Sequence, residues 1–390
     1  MKRMLILGGS HRDIPLIKAS QELGYFVITL GDRDYYLGHN YANKAIKINF
    51  NDLDAVKKVI KDENIDYLIP GSGEESYLNT VKLSHELNIG NFDSLETAKL
   101  VHNKWKFKKF CLENSIAVPK GFLYNAKNNL DNLAFPVVVK PTNLSGGRGV
   151  EIVKNQDELH KVIEKSKIYS DELFLEEFVD GTLIAYSVFL QDQKITYRFI
   201  GADETYLNKY LITTAYPINI DEKIEIILKN NIEKLSRLLQ LVNGMFHLQV
   251  LIKNKIPYII DVTRRIPGDL YPDLIEYCDG VRYSKAVVQS YLGKKIDKEF
   301  NIQKEQNFVI RHCIMPKKNG IYKDIFIDDI IKEKVISKFD LIQKETKIDN
   351  FLHTQLAIVF IKLNTKNEFI LQNINNLIYP IIINVDTNIN

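Results

Sequence analysis

The chain has 390 residues, 45% hydrophobic and 26% charged, room for two or three domains at roughly 150 residues each, which excludes a single small module. The 52 Lys and Arg against 49 Asp and Glu leave a net charge of +3, too even a balance for wrapping nucleic acid or lying on an acidic membrane, so small-molecule partners are expected. Cys111, Cys278 and Cys313 are odd in number and far apart, which fits a reducing cytoplasm better than a disulfide frame or zinc site. No run of about 18 apolar residues suggests a membrane span, and no secretory leader is expected.

Over the first hundred residues, short apolar runs alternate with helical patterns: MLIL at 4–7, a helix from Ile14 to Leu23, FVITL at 26–30, a helix near 52–63 and YLIP at 67–70. That rhythm spells βαβ units and a parallel sheet. Gly8-Gly9 follows the first strand and Pro15 stands in the first turn of the next helix, so the first loop is a strand-to-helix turn. With Asp32 at the end of the second strand, these glycines are fragments of a dinucleotide fingerprint without its full GxGxxG, leaving a nicotinamide-dependent oxidoreductase as one alternative.

A helix is expected over 103–114 before the break at Val118-Pro119. FPVVVKP at 135–141 and VEIV at 150–153 then read as strands flanking the glycine-rich TNLSGGRG. Strand, loop, strand is not the order of a Walker loop, which opens a helix and ends in Gly-Lys-Ser/Thr; a hairpin lid fits better. A helix over 157–166, capped by Asn155 or Asp157, precedes strands at 173–179, 185–190 and 195–200. An amphipathic helix spans 222–241, and MFHLQVLI at 245–252 forms a hairpin with PYIIDVT at 257–263. From about 296 the chain turns to short β-rich runs.

Period-two alternation puts His247 and Gln249 on one face of that hairpin, and Asp261, Thr263 and Arg265 on one face of its second strand. A carboxylate facing an amide oxygen suits Mg²⁺, which prefers oxygen ligands; an ordinary ion pair between Asp261 and Arg264 or Arg265 is the plainer reading. Lys140 ends an apolar strand beside the glycine loop, where a lysine either snorkels to solvent or meets an anion such as a nucleotide phosphate.

Lys104, the VVVKP strand with SGGRG, LEEFVDG and IIDVTRR, taken in this order, resemble the ATP-grasp superfamily. They are most similar to the branch holding biotin carboxylase, carbamoyl-phosphate synthase and the purine-pathway ligases. The resemblance implies an α/β chain with a Rossmann-like pre-ATP-grasp domain at 1–100. An α+β ATP-grasp fold at 101–295, with a lid at about 118–182, and a β-rich C-terminal domain at 296–390 would follow. It implies ATP and Mg²⁺, with Mn²⁺ as a substitute, and a homodimer. Lys104 and Lys140 would contact phosphates, and Ser145, Gly146, Gly147 and Gly149 would form the lid. Glu176, Glu177, Phe178 and Val179 would read adenine. Gln249 stands where a first metal carboxylate is usual, Asp261 matches the second, Thr263 replaces an Asn, and Arg265 matches the family's Arg. Ala185 stands where relatives often bind ribose with Glu.

The implied reaction is ADP-forming ligation of a small carboxylic acid to an amine through an acyl phosphate, with Arg265 or Arg264 steadying the developing charge. The depleted metal site keeps open a non-catalytic ATP-binding sensor. Substrate is expected at the carboxyl ends of the first sheet, facing the hairpin. The candidates there are His11, Arg12, Glu74, Glu75 and Asp269, although Ser72-Gly73-Glu74-Glu75 also reads as a helix capping box.

Overall fold

The computed structural model describes residues 1–125, 128, 130, 133–142, 149–166, 172–296, 299–300 and 306–384. Strands β1 (Arg3–Leu7), β2 (Phe26–Leu30), β3 (Lys44–Ile46) and β4 (Tyr67–Pro70) form a parallel sheet in the order β3-β2-β1-β4. Continuous apolar strands of this kind need cover on both faces, supplied by crossover helices. Here these are α1 (Ile14–Glu22), α2 (Leu53–Asp62) and α3 (Glu74–Leu87). Asp52 caps α2, accepting the Ala55 N–H at 3.0 Å. The capping box expected at Ser72–Glu75 does not form. Gly73 is the N-cap of α3, the Ser72 N–H is bound to Asp13, and Glu75 turns outward to the Asn51 amide.

Helices α4 (Leu95–Val101) and α5 (Lys104–Glu113) lead into an antiparallel sheet of β5 (Gly121–Leu123), β6 (Val137–Pro141), β7 (Glu151–Val153) and β8 (Leu173–Glu177), ordered β5-β8-β6-β7. Helix α6 (Gln156–Ser166) buries Leu159 and Ile163 against this sheet, and Asn155 caps it by accepting the Glu158 N–H.

The largest sheet begins with β9 (Thr182–Gln191), β10 (Lys194–Thr205) and β11 (Ile212–Pro217). After α7 (Glu222–Leu238) come β12 (Gly244–Lys253) and β13 (Ile256–Thr263), then α8 (Tyr271–Asp279) and α9 (Tyr283–Tyr291). The C-terminal stretch supplies β14 (Phe308–Ile314), β15 (Gly320–Ile327), β16 (Val335–Asp340), β17 (Lys347–Ile348), β18 (Ala357–Leu363) and β19 (Ile378–Ile383). Its strands continue the big sheet as β13-β12-β9-β10-β11-β14-β18-β16, while β17-β15-β19 form a small sheet of their own. Pairing of β14 with β11 thus covers an edge that would otherwise present unpaired backbone groups.

One face of the big sheet packs on α7 through Ile224, Leu228, Ile232 and Leu235, each side chain contributing about 1.5–3 kcal/mol when fully buried. The opposite face shares a single core with α1, α3, α8 and α9, joining Leu16 and Tyr77 to Phe189, Met245, Leu274 and Val287. Helices α8 and α9 bury most of their residues, polar ones included, which blurs the apolar stripe by which a helix is read from sequence.

Candidate active site

The β12–β13 hairpin turns at Asn254 and Lys255, with φ of 51° and 64°, the primed two-residue turn whose twist matches that of the strands. Its register sets His247 opposite Thr263 and Gln249 opposite Asp261, and a bulge follows Gln249. The polar rungs therefore share one face, the one met by Lys104. Asp261 does not pair with Arg264 or Arg265. Both its oxygens accept from Lys104 Nζ at 2.8 Å. Burial alone would raise its carboxyl, but Lys104, Lys140 and Arg265 hold it below the usual range.

Lys104 and Lys108 lie one turn apart on α5, so they face the same way. Lys108 and Lys140 both pair with Glu176, whose side chain is 2% exposed. Two ammoniums on one buried carboxylate leave an uncompensated positive charge. Burial, with Lys104 nearby, pulls Lys140 down to about 8, and burial with Lys140 pushes Lys108 down as well. An arrangement that costs this much alone stabilises an entering anion. Lys108 was missed in the sequence, although its i+4 spacing from Lys104 could have found it.

Glu176 thus turns toward the lysines, and the N–H groups of Glu177 and Phe178 are spent on the Lys120 and Pro136 carbonyls at 2.8 and 3.3 Å. Glu177 is exposed and Val179 is buried beside them. Gly149 takes φ of 71°, a conformation that favours glycine, whereas Ser145, Gly146 and Gly147 lie outside the described residues. Ala185 is fully buried, opposite Gln249.

The adjacent arginines have different surroundings. Arg264 is locked into a buried bidentate pair with Asp93, at 2.7 and 3.2 Å, and its remaining donors bind the Met245 and Val242 carbonyls. It welds the hairpin to the segment after α3. Arg265 keeps a buried Nε with no partner, and it lies in the field of Asp261 and Glu74. Glu74, at the start of α3, acts on both Lys104 and Arg265. Glu75 lies apart, on Asn51.

His11 and Arg12 converge on Asp269, Arg12 Nε at 3.3 Å and His11 Nε2 at 3.7 Å. Burial opposes the Asp269 charge, yet Arg12, His11 and Arg311 hold its carboxyl far below the usual range. Asp269 and Leu270 both take left-handed backbone, φ 53° and 54°, a strain of about 1–3 kcal/mol each, and Arg311 Nη1 ties the Asp269 carbonyl at 3.1 Å. Beside this cluster, a cavity of about 550 Å³ opens at the carboxyl ends of β1 and β4, walled by Ser10, His11, Arg12, Tyr36, His353 and Gln355. The glycine loop at its floor is already filled. Asp13 accepts the Gly9 and Ser10 N–H groups at 2.8 Å and the Ser72 N–H at 2.7 Å, which takes the donors a dinucleotide phosphate would need.

Further residues absent from the sequence reading lie between cavity and hairpin. Asp203 on β10 lies within electrostatic reach of Gln249 and Arg311 and is lifted to about 7 by burial. Arg311 on β14 is 2% exposed, with its guanidinium over the Tyr271 ring at 5.7 Å. His247 donates to or accepts from Ser187 at 2.7 Å, and burial with Arg265 pushes it down to about 3, so it stays neutral.

Among the described residues no group of three or more His, Cys, Asp and Glu could cage a metal ion. Asp261 is the single carboxylate of its rung, with the Gln249 amide across from it. That set fits a cation taking one protein carboxylate and completing its shell with phosphate and water oxygens, as Mg²⁺ does.

Residues 101–269 match the model of the ATP-grasp domain. The chain is 25% identical over 243 residues to the formate-dependent phosphoribosylglycinamide formyltransferase of Sulfurisphaera tokodaii, an alignment covering 57% of this chain and 60% of that protein. It spans about half the length of the curated relatives it matches. The fold follows the L-amino acid ligase from Bacillus licheniformis, with TM-score 0.85, 18% identity and coverage of 98% and 99% of the two chains. It also follows the phosphoribosylglycinamide synthetase from Anaerococcus prevotii, with TM-score 0.77, 22% identity and coverage of 98% and 99%. No helix among the described residues is long and apolar enough to cross a membrane.

Proposed function

We propose that the chain is an ADP-forming ligase that joins a small carboxylic acid to an amine, using ATP with Mg²⁺. The observation that carries this reading is the charge balance of the cleft: Lys104, Lys108, Lys140 and Arg265 against Asp261, Glu176 and Glu74. A water-poor pocket with surplus buried cations is built for a polyanion, and the triphosphate of ATP supplies one. Lys140 and Lys104 hold the phosphates there, and Lys108 keeps Glu176 from repelling them. Asp261 would hold Mg²⁺, which when bound neutralises phosphate charge.

The acid reaches the phosphates from the cavity above β1 and β4. One carboxylate oxygen forms a bond to the γ-phosphorus as the bond to the β-phosphate bridging oxygen breaks, giving ADP and an acyl phosphate. The amine then displaces inorganic phosphate, losing a proton, to leave the amide. Arg265, with its unpartnered Nε, steadies the oxygen that gains charge in both steps. Arg264 holds the scaffold. Relatives named phosphoribosylamine–glycine ligase and D-alanine–D-alanine ligase, and a structural neighbour named L-amino acid ligase, support the same reaction class here.

ADP release measured across pairs of acids and amines tests the reading. It should require Mg²⁺ and both substrates, and Asp261→Ala should lower it by at least about a hundredfold. Unaltered turnover in that variant would remove Asp261 from the metal site. ATP binding without ADP release for any pair would identify a nucleotide-binding relative instead.

A further inference from the structure

Behind the hairpin, several buried polar atoms lack a hydrogen-bond partner: Nε and Nη2 of Arg311, Oδ1 of Asp203 and the Tyr271 hydroxyl. They come from different stretches of the chain, yet Asp203, Asp269, Tyr271 and Arg311 lie within one another's electrostatic reach. Buried polar atoms are almost always satisfied, so a cluster of orphans around one point marks a place where something polar enters. Gly201 supports this, because a Cβ there would stand 2.4 Å from the Tyr271 hydroxyl and push it out of place.

The chemistry of the orphans is mixed. Arg311 offers two N–H groups to an anion, while Asp203 offers an oxygen to a cation. A plain carboxylic acid would satisfy the arginine and leave the aspartate stranded. A plain amine would do the reverse. A phosphorylated ligand is disfavoured as well, because Asp13 occupies the donors of the nearest glycine loop. A small zwitterion satisfies both ends at once.

We infer that Arg311, Asp203 and Tyr271 form a specificity subsite for the α-amino-acid group of a substrate, Arg311 holding its carboxylate and Asp203 and the Tyr271 hydroxyl holding its ammonium. The inference rests on the ligase reading for its place in the reaction, not for the binding itself. Amino acids carrying a second functional group, or serving as the amine partner, fit such a site. Simple fatty acids and free amines do not.

Calorimetry on the full chain without nucleotide tests this. The probes are the twenty L-amino acids, each alongside its deaminated acid and its decarboxylated amine. At least one amino acid should bind roughly ten- to a hundredfold more tightly than both of its truncated forms. Asp203→Asn should weaken that binding by a similar factor while ATP affinity, measured separately, stays within twofold. Equal affinity for the deaminated acid, no amino-acid binding at all, or an unweakened Asp203→Asn variant overturns the inference. The comparison of ligands on the unaltered chain decides it even where a variant fails to fold. Failure of the ligase reading shows separately, as absent ADP release from a chain that still selects zwitterions. ADP release driven equally well by deaminated acids would sink the subsite and leave the ligase standing.

Discussion

Two stretches of this chain look alike as anion sites in sequence, each with glycines beside an apolar strand, and the folded protein treats them in opposite ways. At Gly9 and Ser10 the backbone donors are consumed by Asp13, a carboxylate of the same chain. At Lys140 the cations exceed what Glu176 can neutralise. The first arrangement is complete in itself, and the second is complete only with a ligand. An anion site is therefore recognised by unbalanced charge rather than by its glycines.

The sharpest way to test that contrast is to cross Arg264 with Arg265. Arg264→Ala strands the buried Asp93 carboxylate and should cost about 3–5 kcal/mol of stability in denaturant titration. Arg265→Ala should unfold no more easily than the parent within about 1 kcal/mol, yet lose ADP release by roughly a hundredfold or more. Glu176→Gln comes next. It leaves Lys108 and Lys140 without their counter-ion and should lower the melting temperature by several degrees, a loss that saturating ATP restores in a thermal shift assay.

At the filled loop, Asp13→Ala should cost about 1–3 kcal/mol by leaving its backbone donors unmet, with ATP affinity by calorimetry unchanged. A matching fall in ATP affinity would break the distinction between the two sites. The smallest effect is in pH. Lys140 is charged below about 8 and neutral above it, so ATP affinity should be highest below that value and decline as pH rises through it. Lys140→Arg, which stays charged, should flatten the profile.

Much of the architecture was legible in the sequence because local pattern and burial agree there. The βαβ rhythm, α5, α7 and the hairpin with its polar face follow from periods of 3.6 and 2. Helices α8 and α9 were not legible, since burial of most of their residues blurs the periodicity. The C-terminal β-rich stretch was, but not its continuation of the large sheet through β11 and β14, because pairing between strands so distant in sequence leaves no local mark.

The site divides in the same way. Lys104, Lys140 and Asp261 could be named as candidates from the order and spacing of motifs, and Gln249 from its face on a strand. What each one touches could not. Arg264 and Arg265 are neighbours in sequence, yet one is a buried clamp and the other points into the cleft, because alternate side chains leave the strand end on opposite sides. Asp203 and Arg311 sit in apolar strands with no motif around them. Only the packing of β10, β14 and α8 brings them together, since charges are paired or stranded by contacts among distant segments. Sequence alone determined which polar side chains this chain carries and on which face of an element they fall, because residue type and period are local properties. Tertiary structure decided where that chemistry is already neutralised and where it still awaits a ligand.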